Sequence, residues 1–81
     1  MWFVYMILTE KKRFYTGIAT DVERRFIEHL SDSKKGAKFF RSDRPVVVVY
    51  CEECANRSMA SKRESHIKKM TRVQKEALIK K

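Results

Sequence analysis

The chain opens on an unbroken apolar run, Met1-Trp2-Phe3-Val4-Tyr5-Met6-Ile7-Leu8, which gives way after Thr9 to Glu10-Lys11-Lys12-Arg13. The run falls well short of the roughly 20 residues needed to cross a bilayer, and it lacks the basic start of a signal peptide. Its aromatic and β-branched content predicts a strand over 2–8. Charged residues 10–13 make a turn and residues 13–18 suit a second strand. A link that short predicts an antiparallel hairpin.

The remainder alternates between helical and extended signals. Thr20 with Glu23 has the spacing of a capping box, opening a helix over 21–31 in which Val22, Phe26 and Leu30 form one buried stripe. Residues 31–45 form a polar loop or short helix. The run Val46-Val47-Val48-Val49-Tyr50-Cys51, bounded by Pro45, reads as a central strand buried on both faces. Asn56 is a good N-cap for a helix reaching about Lys69. Thr71 with Gln74 opens a last helix carrying Val73, Ala77 and Leu78. The expected fold is α/β of the α+β kind: a small three-stranded antiparallel sheet flanked by three helices, in the order β-β-α-β-α-α, as a single domain over 1–81.

Size and charge then bound the function. A chain of 81 residues buries only roughly 60–65% of its unfolded surface, so its core is thin and its site is expected to be a shallow cleft. Nineteen Lys and Arg against ten Asp and Glu give a net charge of +9, spread along the chain. That balance favours a polyanionic partner, although basic surfaces also serve solubility. Lys34, Lys35, Lys38, Arg41 and Arg44 crowd the stretch 34–44, in which Asp43 is the lone acid; Arg57, Lys62, Lys68 and Lys69 supply a second basic face, and Arg63 is expected to contact nucleic acid as well. Such contacts grip backbone without reading bases, so low sequence specificity and a steep salt dependence are expected. Phe39 and Phe40 can stack on bases or pack in the core. Cys51 and Cys54, with only His66 to spare, fall short of a four-ligand zinc site and read as small apolar residues in a reducing setting. Glu64 is the unusual acid: it shares a helical face with Ala60 and Ile67, where a charge needs a partner. A divalent cation such as Mg²⁺ would supply one, and so would an ion pair with Arg25 or Arg63.

Four local patterns in order resemble the GIY-YIG nuclease superfamily, in its short stand-alone branch. Phe3-Val4-Tyr5 stands where the family has Gly-Ile-Tyr, and Tyr15-Thr16-Gly17 stands where it has Tyr-Ile-Gly. Arg25 and His29 follow four apart on the next helix, and Arg63-Glu64 with Ile67-Lys68 looks like the segment carrying the family's metal-binding Glu. The likeness covers almost the whole chain. It departs from the family pattern at Phe3, where a Gly is usual, and in having no Asn beyond Glu64.

The resemblance implies a metal-dependent endonuclease hydrolysing phosphodiester bonds in nucleic acid. DNA is favoured over RNA, with selectivity for structure and not sequence. Tyr15, or else Tyr5, would activate the water, its phenol made more acidic by nearby cations. Arg25 would clamp the phosphate with His29 assisting, Gly17 is the motif glycine, and Glu64 would hold Mg²⁺ or Mn²⁺ at the leaving oxygen. Plainer readings stay open: strand tyrosines over a core, an Arg25 pair with Glu28 or Asp21, and a solvated or capping His29. A nucleic-acid-binding module with weak or no catalysis remains the alternative function. No membrane and no small-molecule cofactor are expected, the setting is intracellular (cytoplasmic or nucleoid-associated), and a recruiting protein partner would supply targeting.

Overall fold

Residues 1–31 and 36–81 are described in the computed structural model. The hairpin forms as its sequence predicts. β1 (Trp2–Thr9) and β2 (Phe14–Ala19) pair antiparallel, with Tyr5 opposite Gly17 and Ile7 opposite Tyr15. Lys12 takes a left-handed conformation at φ 65° to close the turn, a geometry costly for any side chain but glycine. The turn is held from outside. The Asp43 carboxylate accepts from the Lys11 amide at 3.0 Å, from Arg13 Nε at 2.8 Å and from the Thr9 hydroxyl, while Arg72 donates to the Lys12 carbonyl. Burial pushes the Asp43 carboxyl up, but these hydrogen bonds and the Arg13 charge outweigh it and hold it below its usual range.

The third strand departs from expectation. β3 (Pro45–Cys54) pairs with β1, giving the order β2-β1-β3, so the valine run lies at an edge of the sheet and not at its centre. Val46 and Val47 are 53% and 45% exposed. β-Branched side chains favour extended backbone whether or not a second sheet face is covered, so the run predicted a strand correctly and its burial wrongly. β1 holds the centre instead. Its alternate residues point to opposite faces, and Val4, Tyr5, Met6 and Ile7 are all buried.

The helices cover those two faces. α1 (Val22–Ser31) and a short 3-10 helix (Lys38–Arg41) lie over Tyr5 and Ile7, while α2 (Arg57–Lys68) and α3 (Arg72–Ile79) lie over Val4 and Met6. Asn56 caps α2 through the Met59 amide, and Thr71 and Gln74 form the expected capping box on α3. α1 starts one residue later than predicted. Asp21, not Thr20, caps it, accepting from the Arg24 amide at 3.0 Å. The helix is also rotated relative to the expected stripe: Leu30 is 42% exposed, and His29, at 6%, is buried in its place. No helix among the described residues is long and apolar enough to cross a membrane.

Candidate active site

The site grows from the face of the sheet under α1. Tyr5 is buried and its ring lies across Gly17 on the neighbouring strand. A Cβ at Gly17 would stand 2.6 Å from Tyr5 Oη, so only glycine admits the ring. Tyr15, two residues before Gly17 and pointing to the same side, is half-buried, and its ring centre lies 6.4 Å from that of Tyr5. Their predicted meeting on one face is therefore present, with Tyr5 locked inside and Tyr15 reaching the surface.

His29 holds the two phenols together. Its Nε2 is 3.0 Å from Tyr5 Oη, and its ring stands edge-on to Tyr15 with centres 5.4 Å apart. The Ala37 amide donates to Nδ1 at 3.0 Å. That bond needs a lone pair on Nδ1, so the proton of the neutral ring sits on Nε2 and Nε2–H donates to Tyr5. Burial pushes the imidazole down to about 4, helped by the Arg25 charge and opposed by Glu28. His29 is a neutral, buried donor, not the solvated or capping residue that its place near a helix end allows. Phe40 closes the box against His29 and Tyr15, at 4.6 and 4.7 Å between centres. Phe39 packs on Tyr15 and lies under the Arg13 guanidinium.

Arg25 and Glu64 complete the cluster from two different helices. Arg25, a turn before His29 on α1, hydrogen-bonds Tyr5 and its charge acts on Tyr5, Tyr15 and His29. It also pairs with Glu28 at 3.0 Å. Glu64 sits on α2 between Ala60 and Ile67, near enough for its charge to raise both phenols. Its ion pair is with Lys68 at 3.3 Å, not with Arg25 or Arg63. Lys68 is also close enough to act on Tyr15. The phenols themselves differ from expectation. Burial raises both Tyr5 and Tyr15 by more than Arg25 lowers them, so each is a neutral phenol in the free protein.

The other basic residues disperse. Arg63 turns toward β3, where Glu52 accepts from its Nε at 3.2 Å and binds the Tyr50 hydroxyl as well. Lys38, Arg41 and Arg44 are exposed around the 3-10 helix. Lys34 and Lys35 lie outside the described residues. Cys51 and Cys54 are free and, three residues apart on a strand, point to opposite faces. Two roles were not read from the sequence: that of Asp43, whose partners are some 30 residues away in the chain, and that of Thr16, whose hydroxyl is buried on the α2 side of β2 without a partner among the described residues.

The donor set can be weighed against a metal. Among the described residues no three His, Cys, Asp or Glu gather, which does not fit zinc. One half-buried carboxylate does fit Mg²⁺ or Mn²⁺, hard ions held by one or two carboxylates with the other positions left to water and phosphate.

Comparison with known proteins agrees with this fold. The chain is 49% identical to UPF0213 protein DP2720 of Desulfotalea psychrophila, over 98% of this chain and 71% of that one. It is 42% identical to UPF0213 protein YhbQ of Escherichia coli K12, over 96% and 76%. The solution NMR structure of UPF0213 protein BH0048 from Bacillus halodurans aligns with a TM-score of 0.60 at 33% identity, covering 99% of this chain and 84% of that one. A model described as the GIY-YIG catalytic domain matches residues 1–77, and the chain belongs to that nuclease-type family.

Proposed function

We propose that the protein is a metal-dependent endonuclease that hydrolyses phosphodiester bonds in nucleic acid, with DNA as the favoured substrate. The observation that carries this reading is the meeting of Arg25 and His29 from α1 with the Tyr5–Tyr15 pair, with Glu64 of α2 near enough for its charge to act on both phenols. In this reading Arg25 presents its planar fork to the scissile phosphate, exchanging Glu28 for a phosphate oxygen. Tyr15 is the phenol that meets the attacking water, because Tyr5 is fixed beneath the surface by Gly17 and His29. Tyr5 accepts from His29 and turns its own hydrogen toward the cleft as a donor. Glu64 would hold the divalent cation, which when bound supplies Lewis-acid stabilisation of the charge developing on the leaving oxygen. The Lys68 pair is no obstacle, since an exposed i,i+4 ion pair is worth only about 0.3–0.5 kcal/mol. Neutralising the Glu64 carboxylate also removes one of the charges that hold Tyr15 protonated, which brings its phenol closer to a working base.

The same two ion pairs favour a second reading, a binding module with little catalysis, because Arg25 and Glu64 are both engaged in the free protein. Incubation with plasmid and branched DNA in Mg²⁺ or Mn²⁺ separates the two. Nicking is expected, and Arg25→Ala should lower its rate by roughly 10²–10³-fold, the scale of losing one transition-state donor. Glu64→Ala should abolish it. Nicking that persists unchanged in both variants would come from a contaminant and sink the proposal, while salt-sensitive binding without cleavage would establish the module.

A further inference from the structure

α2 rests on the sheet along one line and is tied to it at one flank. Ala60 and Ile67 are fully buried in the core under the helix and mark that line. At ~100° per residue, Arg63 and Glu64 stand ~50° to either side of it. The helix packs chiefly over β1 and β2, in a sheet ordered β2-β1-β3. On one flank Arg63 reaches across to β3. On the other, Glu64 and its partner Lys68 are near enough to act on Tyr15 of β2.

The tie to β3 has three members. Tyr50 and Glu52, two apart on the strand, point to the α2 side, beside Met6 and Val4 of β1. The Tyr50 hydroxyl donates to Glu52 Oε1, and Arg63 Nε lies 3.2 Å from both carboxylate oxygens. Among the described residues this is the one side-chain hydrogen bond between α2 and the sheet. Arg57 lies over the Trp2 ring, but at the first turn only, and the Glu64–Lys68 pair stays within the helix.

A helix that rests partly on an alanine has little side chain to interlock with the strands below, so packing alone fixes its roll weakly. A roll of ~20° carries a side chain ~5–6 Å from the axis through ~2 Å. Arg63 and Glu64 lie on opposite flanks, so a roll that lifts one lowers the other. An ion pair with side chains 29% and 33% exposed adds little stability, which leaves geometry as its main effect. We infer that Glu52 is a positioning residue: through Arg63 it sets the roll of α2, and with it the place of Glu64 relative to Tyr15. Tyr50 orients the Glu52 carboxylate for that duty. The positioning stands whether or not the protein cuts nucleic acid; its consequence for a rate rests on the reading of Glu64 proposed above.

Backbone N–H residual dipolar couplings read this roll without metal or substrate, because their periodic wave along a helix shifts in phase when the helix turns about its axis. Glu52→Gln should shift the α2 phase against the sheet by roughly 20°. Arg63→Gln should shift it equally and the double variant no further, since both break one link. Tyr50→Phe should give a smaller shift in the same direction. Thr71→Ala, which removes the cap of α3, should destabilise the protein with no shift. The Glu52→Gln nicking rate per folded molecule should fall by up to roughly 10²-fold, the scale of a misplacement of ~1 Å, with more Mn²⁺ needed for half-saturation. An unchanged phase in Glu52→Gln and Arg63→Gln, shifts that add in the double variant, or an equal shift in Thr71→Ala would each overturn the inference. A shifted phase in a protein whose wild type does not nick would refute the endonuclease and leave the positioning standing. A shifted phase with nicking and its Mn²⁺ dependence unaltered would overturn Glu64 as the group being positioned.

Discussion

On one side of β1, Val4 and Met6 meet Ala60 and Ile67, and none of these four side chains can take or give a proton. On the other side, Tyr5 lies beside His29 and Arg25, with Tyr15 on the adjoining strand. Both faces are buried, and the strand supplies them from alternate residues of one segment. The difference is what burial does on each. Under α2 and α3 it removes apolar surface from water. Under α1 it sets protonation, holding the phenols neutral and the imidazole uncharged. A domain with a thin core cannot keep a site apart from its packing, so it divides one strand between the two duties.

The largest effect that could break this division is at Met6, which is fully buried. Met6→Ala should cost about 2–5 kcal/mol of stability by leaving a cavity, while the nicking rate per folded molecule stays unchanged. Tyr5→Phe is its counterpart, leaving the His29 Nε2–H without an acceptor at a cost of about 1–3 kcal/mol and lowering the rate even where the protein is fully folded. Urea denaturation paired with rates corrected for folded fraction reads both. A Met6→Ala rate as low as that of Tyr5→Phe would erase the distinction between the faces.

His29 sharpens the same comparison through pH. Its imidazole is lowered in the folded protein from 6.5 to about 4, so the unfolded chain takes up a proton that the folded one refuses. Stability from this residue is therefore complete above about pH 6.5 and is lost as pH falls through 4. The whole swing is about 3 kcal/mol, by 1.36 kcal/mol per unit. Chemical denaturation between about pH 7 and 4.5 should trace that decline in the wild type, and His29→Gln should flatten it. A wild-type curve already flat across this window would mean that the imidazole is not buried as a neutral donor.

Much of this was legible in the sequence wherever the signal is local. The hairpin, the Asn56 cap and the Thr71–Gln74 box rest on side chains that bond their own neighbours. Motif order was enough to bring Tyr5, Tyr15, Arg25, His29 and Glu64 into one list. What failed depends on tertiary surroundings. Thr20 and Asp21 are both good caps, and Asp21 takes the role. The packing of α1 on the sheet buries His29 and exposes Leu30. The valine run could not reveal that β1 would take the centre of the sheet. Cations near a phenol suggested an acidic tyrosine, but how much water the fold removes decides the sign, and burial prevails. Arg63 looked like a phosphate contact only while Glu52, eleven residues away, was not known to face it.

The smallest expected effect sits where the two faces meet. Thr16 lies between Phe14 and Ile18 on the side of β2 that packs under α2, and its hydroxyl is buried with no hydrogen-bond partner among the described residues. An unsatisfied buried hydroxyl costs stability, and an apolar group of the same shape removes that cost. Thr16→Val should therefore raise stability by about 1 kcal/mol, measured by thermal or urea unfolding. Its effect on the nicking rate then locates the border of the site. A more stable protein with an unchanged rate would make the α2 face purely packing. A more stable protein with a lower rate would mean that the hydroxyl is retained for work at the Glu64 end of the cleft, and that the chemistry extends through the sheet. Loss of stability would show instead that the hydroxyl is bonded to an ordered water, and the polar character of this face would have to be counted as structural.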